Sequence, residues 1–99
     1  MATLLSDRPF SGVRQMKYEQ MLERSPATVE AMSTRELEDL LDTMESFYLR
    51  RTMELLEGCM QACGATEVLK ASDWAAYDRA VAQAQQMARE MALQETLEA

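Results

Sequence analysis

The 99-residue sequence predicts an all-α protein. Its expected core is an antiparallel helical hairpin, a long helix over about 34–63 and a second over about 73–97. A shorter N-terminal helix packs across it, giving a small helical bundle that a second copy is free to complete as a dimer. Three observations carry this reading. Ser33-Thr34-Arg35-Glu36 is a capping box, in which the serine oxygen takes an orphan N–H and Glu36 reaches back to the serine amide. A run of apolar residues at helical spacing follows at once and stops at Gly64, where a left-handed C-cap belongs. Further on, Trp74, Tyr77, Val81, Ala84, Ala88 and Met91 alternate steps of three and four, the spacing of a heptad seam.

Taken in order, residues 1–12 read as a flexible leader broken by Pro9 and Gly12, and 13–99 as a single helical domain. Val13, Met16, Met21 and Leu22 keep rough helical spacing and predict a first helix to Arg24. Ser25-Pro26 is an N-cap followed by proline at the first helical position, and starts a short helix to Met32.

In the long helix, Leu37, Leu40, Leu41, Met44, Phe47 and Tyr48 form one stripe, continued by Leu55, Cys59 and Ala62. A second stripe of Leu49, Met53, Leu56, Met60 and Cys63 runs beside it, so the C-terminal half is apolar around about half its circumference. Gly58 lies inside and permits a bend or the close approach of a neighbour. Ala65–Ala71 is a connection whose Val68 and Leu69 are expected to tuck onto the core, and Ser72 or Asp73 caps the last helix. The centre of its seam is alanine, which lets a partner helix come close.

Charge narrows the function. The net charge is −7; residues 1–31 are neutral, 32–63 carry −4 and 64–99 carry −3. Such a chain is repelled by phosphate backbones and anionic membranes and has no basic, aromatic-rich stripe, so direct nucleic-acid or membrane binding is not expected. No apolar run reaches the roughly 18–20 residues that span a bilayer, and no secretory signal opens the chain, which predicts a cytoplasmic protein.

Histidine is absent, and there is no G-x-S-x-G, phosphate loop or dinucleotide fingerprint. The expectation is a non-enzymatic protein with no catalytic residue, no cofactor and no resident metal. Cys59 and Cys63 stand one helical turn apart, with Met53 and Met60 as soft sulfur donors nearby. The minor reading for them is a Cu(I) or thiol redox site, and the commoner role for buried cysteine is core packing.

A chain of this size buries only about 60–65% of its unfolded surface, so its core is thin. Nine methionines, a residue over-used at adaptable binding surfaces, exceed what two or three helices enclose. The leading expectation is therefore a protein–protein interaction module. It is read as a small acidic adaptor or chaperone covering an apolar helix of a partner, or self-associating, through Leu49, Met53, Leu56, Met60, Trp74, Tyr77, Val81 and Met91. The alternative is an inhibitor of the phage or mobile-element type, whose acidic face of Asp39, Asp42, Glu54 and Glu57 blocks a basic nucleic-acid-binding surface. Arg51, at the edge of the apolar face, is expected to make a cross-helix or cross-subunit ion pair, with Asp78 or Glu90 as candidate partners.

Overall fold

The computed structural model describes residues 11–98, five helices in the order α1 (Ser11–Arg24), α2 (Pro26–Ala31), α3 (Thr34–Ala62), α4 (Glu67–Ser72) and α5 (Trp74–Glu98). There is no strand among the described residues. Helices α3 and α5 pack antiparallel as the hairpin, α1 lies against the first half of α3 and the end of α5, and the whole is a rod of 57 × 24 × 18 Å. Of the expected leader, residues 1–12, the first ten lie outside the described ones, and Ser11 and Gly12 belong to α1.

Local signals set the ends of α3. The Ser33 hydroxyl accepts from Glu36 N at 3.1 Å, and the Glu36 carboxylate accepts from Ser33 N at 3.3 Å, so the capping box is complete. At the other end Gly64 takes φ 76°. Ala65 N donates to Met60 O (2.8 Å) and Gly64 N to Gln61 O (3.1 Å), the two reversed bonds of a Schellman cap. The Thr66 hydroxyl then accepts from Leu69 N to start α4, and the Asp73 carboxylate accepts from Ala76 N to start α5.

Ser25 departs from its expected capping role, since its side chain makes no cap bond. Its own N–H is held by Met21 O at the end of α1, and its backbone (φ −144°, ψ 58°) lies outside the β region that aims a cap oxygen at the following amides. Proline at the first position of α2 does the helix-starting alone.

Two cores lie along the rod. At one end Leu37 and Leu41 of α3 and Val29 of α2 are buried, with Tyr18, Met21 and Met32 packed against them. In the hairpin the buried set is Cys59, Ala84 and Ala88, flanked by Leu55, Leu56, Met60, Cys63 and Met87. The expected heptad seam of α5 is corrected here. Its buried line is Ala80, Ala84, Ala88, Ala92 and Thr96, a strict step of four, while Trp74 and Met91 are exposed and Tyr77 and Val81 half-buried.

Steps of four follow the natural ridge of an α-helix, and small residues on that ridge let α3 approach closely. The seam reading gave weight to the largest apolar side chains, which this close approach pushes to the flanks. Thr96 is fully enclosed because its hydroxyl donates to Ala92 O at 2.7 Å, leaving only its methyl to pack.

Two smaller expectations also change. Val68 is 78% exposed, because α4 is a single amphipathic turn that half-buries Leu69 instead. Gly58 faces open space, with nothing within 4 Å of where a Cβ would stand, so no neighbour comes close there.

Candidate functional site

The long helix positions the first half of the candidate face. Leu49, Met53, Leu56 and Met60 lie at i, i+4, i+7 and i+11, one stripe beside the hairpin contact. Leu56 and Met60 lean onto the Cys59–Ala84–Ala88 core, whereas Leu49 and Met53 remain 49% and 76% exposed. The hairpin here is two helices thick, and α1 covers only the other half of α3. No third helix reaches these residues among those described.

The α5 members of the face separate into two places. Trp74 and Tyr77 stand together at the helix start, with ring centroids 5.7 Å apart and the Lys70 ammonium 5.6 Å from both rings. Val81 is half-buried one turn on. Met91 is about 26 Å from Trp74 along the axis at 1.5 Å per residue, and its sulfur meets Cys59 instead. The eight residues thus form a continuous stripe on α3 and two separate outposts on α5.

The acidic set is not drawn into one patch. Asp39 and Glu54 are 15 residues, roughly 22 Å, apart on a single helix. Asp42 is engaged by the guanidinium of Arg14, and Glu54 lies 3.9 Å from Arg51. Asp39 and Glu57 are exposed.

Arg51 does make a cross-helix ion pair, but with Glu95, its Nε donating to Glu95 Oε1 at 2.8 Å, rather than with Asp78 or Glu90. The antiparallel register decides this, since it sets Arg51 against the last turns of α5. The hydrogen bond to Glu95 is the chief reason the Arg51 guanidinium is held above the ordinary arginine range.

Sequence reasoning missed a basic, buried face on α1. Arg14 is fully enclosed and Lys17 is 6% exposed, so Arg14, Lys17, Tyr18 and Met21 face inward while Met16 and Leu22 face out. Counting apolar side chains at helical spacing overlooks long aliphatic stems that pack under a charged head.

Arg14 reaches Asp42 through one nitrogen, while its Nε and Nη2 have no hydrogen-bond partner among the described residues. Lys17 Nζ donates to Gln20 Oε1 at 3.0 Å and to Leu97 O at 3.4 Å, a cation on the open carbonyls that end α5. Burial, aided by the charge of Arg24, pushes the Lys17 ammonium below its ordinary range. Beside it a shallow groove between α1 and α5 is floored by Leu93 and Leu97. The steps of three and four from Trp74 stop at Met91 and so did not reach these two residues.

The cysteines also meet other sulfurs than the sequence suggested. Cys59 Sγ is 4.0 Å from Met91 Sδ and Cys63 Sγ is 3.3 Å from Met87 Sδ, across the hairpin, while Met53 points away into solvent. The cysteines sit on the side of α3 that contacts α5, which is the reason.

No described helix is long and apolar enough to cross a membrane. No family model matches the chain, and no curated protein or solved structure matches it.

Proposed function

We propose that this protein is a non-enzymatic helical adaptor or chaperone that covers an apolar helix of a partner protein with the Leu49–Met53–Leu56–Met60 stripe of α3. The observation that carries the reading is the exposure of Leu49 and Met53 next to two half-buried neighbours on the same stripe. Anchors at i, i+4, i+7 and i+11 are the pattern by which a helix is received along an apolar groove. Methionine suits such a face, because its unbranched thioether adapts to different shapes. A second copy of the chain is the other occupant this stripe accepts, and cytoplasmic residence accords with both.

The acidic-inhibitor reading has less support. Two of its four carboxylates have basic neighbours within the chain, and the set is spread along more than four turns of α3.

The test compares wild type with a Leu49→Glu/Met53→Glu double variant. Light scattering after size exclusion gives the assembly mass, and affinity capture from the source lysate is washed at about 1 M salt, where charge attraction is screened within about 3 Å. The wild type is expected to hold a partner or a second copy through that wash. The variant, equally helical by circular dichroism, is expected to lose it. An unchanged mass and unchanged capture in the variant would sink the proposal, and capture released by salt alone would return the acidic face to first place.

A further inference from the structure

Every cysteine of this chain faces a methionine across one short stretch of the hairpin. Cys59 lies in the last turn of α3 and Cys63 is its C-cap residue four positions on, and Met87 and Met91 are successive positions of α5 opposite them. The two cross-helix sulfur separations are 3.3 and 4.0 Å. Two sulfurs bound to one ion at about 2.3 Å, the usual metal–thiolate distance, stand roughly 3.8–4.0 Å apart at tetrahedral to trigonal angles. The hairpin therefore already holds its sulfurs near ligand spacing. The two rungs are one helical turn apart, about 5–6 Å between Cβ atoms. One ion shared by both requires each cysteine sulfur to turn about its single side-chain bond toward the space between the rungs, and the three rotatable bonds of methionine let a thioether follow.

We infer that Cys59, Cys63, Met87 and Met91 form a binding site for a soft monovalent ion, Cu(I), clamped between α3 and α5. The donor set decides the ion. Thiolate together with thioether ligands suits Cu(I). Zinc also takes thiolate, but completes a tetrahedral set with further Cys, His or carboxylate ligands rather than thioethers, and the hard divalent ions take oxygen. Among the described residues there is no group of three or more His, Cys, Asp or Glu side chains to hold such an ion.

The surroundings suit an exchangeable site. Cys59 is 5% exposed and backed by Ala84, Ala88 and Leu55, so the inner wall is dry. Cys63 is half-buried and Met91 is 44% exposed, so the outer side is open to an arriving ion. Binding is simple ligand exchange. The two thiols release two protons, their sulfurs and at least one neutral thioether take the ion, and no electron is transferred. This inference does not depend on the adaptor reading.

The test titrates the reduced full-length chain, without oxygen, with Cu(I) held by a coloured competing chelator. The chain is expected to withdraw one equivalent, release two protons, show sulfur-only coordination by X-ray absorption, and melt at a higher temperature once loaded. Cys59→Ser/Cys63→Ser should abolish uptake. Met87→Leu/Met91→Leu nearly conserves volume and should keep the helical circular dichroism. It should weaken Cu(I) by at least about tenfold, the lower bound for losing even an outer partner of a bound metal. The inference is overturned if the wild type leaves Cu(I) with the chelator, if the methionine double variant binds as tightly as the wild type, or if Zn(II) competes equally with Cu(I).

Discussion

The two ends of the rod solve the same burial problem with different residues. Where α1 and α2 meet the first half of α3, three elements surround the contact, and large side chains such as Leu37 and Leu41 disappear from solvent. In the far half, among the described residues, only α3 and α5 with the short α4 are present, and the residues that vanish are alanines and a cysteine. A two-helix contact encloses only a narrow strip, so it closes best on small residues at near-backbone distance. The larger side chains beside the strip, Leu49, Met53 and Trp74, stay in water. One end thus encloses large side chains in a three-element core, and the other closes on small ones and leaves its large neighbours exposed.

That contrast can be broken most forcefully at Leu41, which has no exposed surface. Leu41→Ala is expected to cost about 3 kcal/mol and lower the melting midpoint by more than 10 °C, read by thermal circular dichroism. A shift of only a few degrees would mean that the three-element end is not where stability resides.

The far half should respond to an added side chain instead. Ala88→Leu puts a branched side chain into a seam that has no room for one, and is expected to cost about 1–3 kcal/mol in chemical denaturation. If leucine there were neutral, the seam would not depend on close approach. The smallest effect has the opposite sign. Gly58→Ala meets nothing within 4 Å inside an exposed stretch of helix, and should stabilise by about 0.5–1 kcal/mol. A destabilised variant would show that the hairpin needs freedom at that position.

Much of the fold was legible in local chemistry. The Ser33–Glu36 box, Gly64 and Asp73 each act within a few residues of themselves, so the sequence shows them directly, and the structure uses all three. The α3 stripe was legible for the same reason, since its four residues share one helix. The α5 half of the candidate face was not. Which side of α5 is buried depends on how closely α3 comes, and that favours Ala80–Ala92 over the larger side chains the pattern picks out.

For the long helix, the order of residues was enough to set where it begins and ends, because the capping box and the Gly64 cap act over one to five residues. The short helix over Glu67–Ser72, read from sequence as a connection, and the inward faces of α1 and α5 were not set that way. Pairings between helices needed three dimensions. Arg51 with Glu95, Arg14 with Asp42, and the cysteines with Met87 and Met91 join residues 24 to 44 positions apart. Such partners are selected by the register and closeness of two packed helices, quantities that exist only once the small residues of the seam have let the backbones come together.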